Sequence, residues 1–135
     1  MESITFSEIP GGYAKTMVSV FNLIAEGKRN DEIDEEALRE LLGDLYATKF
    51  ISTKAEADFW LEKWRVDPSI DAPWDFGSWV DAFINADIEF KELKLSTDGS
   101  GEITFEQLSC PSGGIEATEQ IVKVFGGNVV SNNAI

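Results

Sequence analysis

The sequence predicts an α+β domain, with about five helices packed against a small, mainly antiparallel sheet that includes a central β-hairpin. Apolar residues recur at helical spacing through much of the chain, and period-two runs flank Asp98-Gly99-Ser100-Gly101. A length of 135 residues with 43% hydrophobic side chains suffices for one core, so residues 1–135 read as a single domain.

Ile4-Thr5-Phe6-Ser7 alternates apolar and polar residues as a half-buried strand does, and Pro10-Gly11-Gly12 breaks it. From Tyr13 to Ala25 the residues Tyr13, Met17, Val20, Phe21 and Ile24 fall on one helical face, which Val18 and Leu23 widen. Gly27-Lys28-Arg29-Asn30 is expected to end this helix, with glycine and late positive charge where the helix dipole favours them. A second helix is expected from Asp31 or Asp34 through Lys49. It turns Ile33, Ala37, Leu38, Leu41, Leu42 and Leu45 inward and Asp34, Glu35, Arg39, Glu40 and Asp44 toward water.

Thr53-Lys54-Ala55-Glu56 has the spacing of a capping box, and Ala57, Trp60, Leu61 and Trp64 give the face of a third helix ending near Arg65. Residues Val66 to Ser78, with two prolines and no basic side chain, read as an ordered surface loop. A fourth helix from Ser78 directs Trp79, Val80, Phe83 and Ile84 inward, and helical spacing puts Trp60, Trp64, Trp79 and Phe83 in the core. Ile88 and Phe90, then Leu93 and Leu95, alternate as a strand with a slip of parity that predicts a bulge. Ile103-Thr104-Phe105 forms the second hairpin arm. Cys110-Pro111-Ser112-Gly113-Gly114 leads to a last helix with Thr118, Ile121, Val122 and Phe125 on one face. Gly126-Gly127 stops it before an edge strand at Asn128-Val129-Val130. The two Ile-Thr-Phe runs, each followed by a glycine turn and a helix, read as generic punctuation rather than a duplication.

Twenty-five carboxylates face eleven basic side chains and there is no histidine, for a net charge of −14. That charge opposes direct binding to nucleic acid or to an anionic membrane surface. The absence of histidine removes the usual general base and the commonest metal ligand. No apolar run approaches the roughly 18 residues that would cross a bilayer. A single cysteine, Cys110, and a Met1-Glu2-Ser3 start without a basic or apolar leader predict a reducing cytosol.

Ser96-Thr97-Asp98-Gly99-Ser100-Gly101-Glu102-Ile103-Thr104-Phe105-Glu106-Gln107 resembles an EF-hand calcium loop over these twelve residues. The resemblance implies Asp98, Ser100 and the carbonyl of Glu102 as ligands. Ser96 replaces the first aspartate, and Gln107 stands where the family needs a bidentate glutamate. Asp-Gly and Ser-Gly also favour turns in their own right, so a hairpin turn without metal is the expectation. Gly11-Gly12 and Gly113-Gly114 lack the lysine and spacing of a nucleotide loop and read as plain turns. Cys110 has no histidine to pair with and reads as a small, partly buried thiol. No catalytic residue, metal ligand or cofactor site is assigned.

The stronger signal is the concentration of Phe59, Trp60, Trp64, Trp74, Phe76, Trp79 and Phe83 among Asp58, Glu62, Asp67, Asp71, Asp75 and Asp81. Aromatic anchors amid one sign of charge suit an interface for a basic protein, where burial supplies affinity and charge steers encounter. The expected function is a non-enzymatic, acidic protein-binding domain of inhibitor, immunity or adaptor type that covers a basic partner surface, with nucleic-acid charge mimicry as one form of it. The partner-binding candidates are Asp34, Glu35, Glu40, Asp71, Trp74, Asp75 and Phe76. Three rivals stand beside it: acidity serving solubility alone, an acidic secretion-chaperone-like dimer, and an enzyme built on carboxylates.

Overall fold

The computed structural model describes residues 2–51, 53–69, 74–108 and 114–132. Strand β1 (Glu2–Ser7) buries Ile4 and Phe6 and leaves the alternate positions half-exposed, as its period-two pattern requires. A 3-10 turn at Gly11–Tyr13 leads into α1 (Ala14–Asn30), which buries Met17, Val20, Phe21 and Ile24 and leaves Val18 toward water. Gly27 does not end this helix. The chain folds back over it, with Glu32 N donating to Gly27 O at 2.9 Å, and a Cβ there would lie 2.7 Å from Ile33 Cγ1. Glycine serves close approach here, and the helix ends at Asp31, whose φ of 58° is left-handed.

The expected second helix is two helices, α2 (Glu35–Leu42) and α3 (Asp44–Lys49), separated by Gly43 at φ 56° and ψ −126°. Only glycine accepts that conformation readily, so Gly43 breaks a pattern that apolar periodicity would continue. Next come β2 (Phe50–Ile51), α4 (Lys54–Val66) and β3 (Trp74–Asp75). The two short strands pair in parallel, Phe50 opposite Trp74, with α4 in the crossover between them. Helix α5 (Phe76–Asn85) starts two residues before the expected Ser78, because the Asp75 carboxylate caps it by accepting from Ser78 N at 2.9 Å.

β4 (Ile88–Leu95) and β5 (Gly101–Gln107) form the expected hairpin. The register shifts between Phe90 and Glu92, which keeps Phe90 opposite Phe105 and Leu93 opposite Ile103 on the inner face. α6 (Gly114–Val124) and β6 (Asn128–Asn132) complete the described chain. The sheet order is β4-β5-β1-β6, with every neighbouring pair antiparallel. The two Ile-Thr-Phe runs lie side by side as central strands, Ile4 facing Ile103. One sheet face is polar, with Lys91 pairing with Glu89 at 3.1 Å and Glu106 at 3.6 Å. Against the other face pack α1, α5 and α6, enclosing Ile4, Phe6, Ile103, Phe105, Trp79, Ile121 and Phe125 in a two-layer α+β core.

Trp79 and Phe83 are core residues, as their spacing predicts, and Trp79 Nε1 donates to the carbonyl of Ala117 at 2.9 Å. Trp60 and Trp64 are not. No residue of α4 is buried, and Trp64 is 50% exposed. Periodicity identifies an apolar helix face without identifying what covers it, and within this chain the stripe of α4 does not enter the core. Asp71, Cys110 and the Gly113 turn lie outside the described residues.

Candidate functional site

The carboxylates of the early α2 region are exposed: Asp31, Glu32, Asp34, Glu35, Glu36 and Glu40 all face water. Negative charge at a helix start opposes the positive end of the helix dipole, which favours this arrangement locally. Asp34 also caps α2, its Oδ1 accepting from Ala37 N at 3.1 Å. Thus Asp34 and Asp75 have the same backbone task at two different helix starts, and both remain exposed.

Folding brings part of the α2 face to the start of α5. A hollow of about 380 Å³ is lined by Glu35, Arg39, Tyr46, Ile51, Asp75, Phe76 and Gly77. A neighbouring hollow of about 310 Å³ is formed by Glu36, Arg39, Glu40 and Tyr46. Arg39 and Tyr46 belong to both, and the Arg39 guanidinium lies 5.7 Å from the centre of the Tyr46 ring. Glu35, Glu40 and Asp75, widely separated in sequence, therefore surround one Arg39–Tyr46 centre.

Phe76, expected as a surface anchor, is only 5% exposed and belongs to the core. Its ring meets Tyr46 edge-on at 5.0 Å and Phe50 at 5.5 Å. Phe50 contacts Trp79, Trp79 contacts Phe83, and Phe83 contacts Phe90, so an aromatic chain runs from beneath the Arg39 site to the central sheet. It gives the acidic face a rigid floor. Trp74 is half-buried against the same core and has its ring available only in part.

Periodicity places Arg39 on the water-facing side of the second helix without assigning it to the site, and it does not single out Tyr46. The turn at Gly43 carries Tyr46 back beside Arg39, and the useful signal was the glycine inside an otherwise helical pattern. A third hollow, about 500 Å³, lies on another side of the acidic region and includes Ser19, Asn22, Glu26, Asn30, Glu32 and Asp34.

The loop with the EF-hand resemblance is a hairpin turn. Asp98 Oδ1 accepts from Ser100 N at 3.0 Å and from Ser100 Oγ at 2.6 Å, while Ser96 N donates to Ser100 O at 2.8 Å. These bonds, the side-chain bond first, hold the Asp98 carboxyl below its ordinary pKa. Among the described residues, no group of three or more His, Cys, Asp or Glu side chains is placed to hold a metal ion. No described helix is long and apolar enough to cross a membrane. Comparison with protein-family models, curated proteins and solved structures gives no match to this chain. The fold and site define an α+β domain with an acidic face built over an aromatic core.

Proposed function

We propose that this chain is a non-enzymatic binding protein of inhibitor, immunity or adaptor type that covers a basic surface of another protein. The observation that supports this reading is the convergence of Glu35, Glu40 and Asp75 around exposed Arg39 and half-buried Tyr46. The carboxylates supply long-range attraction. Tyr46 offers an aromatic ledge fixed from below by Phe76. Arg39 makes the face selective, because a uniformly basic partner must place a carboxylate or a carbonyl opposite it.

The test is capture at low ionic strength from a lysate of the source cells, followed by binding kinetics with the purified partner. Glu35→Lys combined with Glu40→Lys should lower the association rate by about tenfold or more, and added salt should slow the wild type, because exposed charges are screened over about 10 Å at 0.1 M. A captured partner whose association ignores both salt and these reversals would exclude this face. If acidity serves solubility alone, the reversals should reduce solubility and leave every captured interaction unchanged.

A further inference from the structure

Helix α4 carries Ala57, Trp60, Leu61 and Trp64 at i, i+3, i+4 and i+7, the spacing of one continuous helix face. That face lies outside the core. Leu61 is 46% exposed and Trp64 50%, and none of the thirteen residues of α4 is buried. An apolar stripe of this order with no core beneath it marks a contact surface. We propose that it packs against α4 of a second copy of this chain, antiparallel, across a two-fold axis passing between Trp60 and Leu61.

Charge selects the occupant. Two copies at −14 each repel, so they can approach closely only where local charge does not add to the repulsion. Within α4 the basic residues Lys54, Lys63 and Arg65 equal the acidic Glu56, Asp58 and Glu62 in number, against the acidic trend of the whole chain. A basic partner finds no net attraction on this helix. An anionic membrane would meet a neutral helix attached to a strongly repelled body.

The order of the charges selects the orientation. Antiparallel pairing about the Trp60–Leu61 midpoint sets small Ala57 over large Trp64 of the second copy, and Trp60 over its Leu61. On one flank of the stripe Asp58 lies beside Arg65 of the second copy, and on the other flank Glu56 lies beside its Lys63, each pair offset by about 3 Å along the axes. The two-fold axis repeats each pair, whereas a parallel arrangement would turn opposite flanks together and set Asp58 beside Glu56 and Arg65 beside Lys63 of the second copy. Arg65 now meets Glu62 at 3.4 Å, Lys63 lies 5.0 Å from the Phe59 ring and Asp58 meets Lys54 at 4.0 Å, exposed contacts weak enough to exchange, while Glu56 also accepts from Thr53 Oγ1 at 3.0 Å in the cap of α4. With about 20 Å of helix on each side, the interface lies near or below the roughly 1,200 Å² of stable complexes, and association should be in the micromolar range.

The experiment is sedimentation equilibrium of the full chain over a wide concentration range, with far-ultraviolet circular dichroism on every variant. Wild type should pass from monomer to dimer, and added salt should strengthen the dimer by screening net repulsion, opposite to its effect on the acidic face. Leu61→Glu and Trp64→Glu should each weaken association about tenfold or more with unchanged helix content. Arg65→Glu alone should weaken it, and Asp58→Lys with Arg65→Glu in one chain should restore it; a parallel dimer would not show this pattern, because there Arg65→Glu would itself meet Lys63 of the second copy and strengthen association. A wild type monomeric throughout overturns the proposal, including one that instead floats with anionic vesicles. So does a dimer indifferent to Leu61→Glu and Trp64→Glu, or a charge swap that fails to rescue. Glu35→Lys with Glu40→Lys should leave the dimer intact, so this result and that of the acidic face are read separately.

Discussion

Lys28 Nζ donates a 2.9 Å hydrogen bond to the carbonyl oxygen of Ala86, and a second bond to that of Phe83. A side chain near the end of α1 thereby satisfies carbonyls at the end of α5, which has no basic residue in its own last turn. The cationic cap joins two helices through a contact that sequence spacing alone would assign to α1 only.

Lys28→Met should therefore destabilise the fold by about 1–3 kcal/mol, by leaving part-buried carbonyls without their donor. Burial holds the Lys28 pKa below its ordinary value, with Asp87 and Asp31 pulling it back up. In the alkaline interval between the lowered folded pKa and the unfolded value, the unfolded chain binds more protons, so this group makes stability rise with pH. Near neutrality both states keep the proton and the slope vanishes. Denaturant titrations should show a wild-type advantage over Lys28→Met that is flat around neutral pH and grows in the alkaline interval.

Trp79 tests the aromatic floor beneath the candidate site. Trp79→Phe keeps a ring among Phe50, Phe76 and Phe83 but deletes the donor to Ala117 O, and should cost about 1–3 kcal/mol. Trp79→Ala removes the ring as well and should cost about 3–5 kcal/mol. Thermal melts that place the two variants together would show that the hydrogen bond, not packing, dominates there.

What the sequence disclosed follows from which forces are local. The hairpin was legible because Asp98-Gly99 chemistry and strand alternation act over a few residues, and even the bulge after Phe90 appeared as a slip of parity. Trp79 and Phe83 lie in the core as their helical spacing predicts, although that spacing alone did not separate them from Trp60 and Trp64. The break at Gly43 was lost beneath strong apolar periodicity, although the glycine was in plain sight. That Trp60 and Trp64 stay out of the core was not legible, because a helix face carries the same spacing whatever covers it. Glu35 and Asp75 could not be joined from sequence, since their approach depends on the β2–β3 pairing and the Gly43 turn.

Gly99 ties the hairpin turn to the segment that follows β1. Its φ is +88°, Ile9 N donates to its carbonyl at 3.0 Å, and an added Cβ would lie 2.6 Å from Ile9 O. Gly99→Ala should cost about 1–3 kcal/mol, from left-handed strain and from contact with backbone that has little room to yield. A neutral effect on the denaturation midpoint would contradict this packing.

Calcium should find no saturable site between Ser96 and Gln107, because Asp98 is engaged by Ser100 and the outer loop positions lack the required acids. Calorimetric titration at low salt should give only dilution heats. The same geometry predicts an acid-sensitive turn. The Asp98 pKa is depressed, so its contribution is present above the ordinary 3.8 and is lost as pH falls through the lower folded value. Asp98→Ala should lower the melting temperature near neutral pH, and the difference should close at acid pH.

Asp34 and Asp75 require a separation of charge from capping before either is used to test partner binding. Each accepts a backbone N–H at a helix start, from Ala37 and Ser78 respectively, so a lysine or alanine there damages the scaffold as well as the surface. Asp34→Ala and Asp75→Ala should each cost about 1 kcal/mol, whereas serine, which caps without charge, should restore most of that loss. Partner association should then respond differently. If the carboxylates steer encounter, serine and alanine variants should show equally slowed association once both are fully folded, because both lack the charge. If the effect is only structural, association should follow stability, with serine close to wild type and alanine impaired. Stopped-flow association of the two pairs of variants at one low ionic strength distinguishes these outcomes, and the stability difference between serine and alanine verifies in the same samples that the caps are intact.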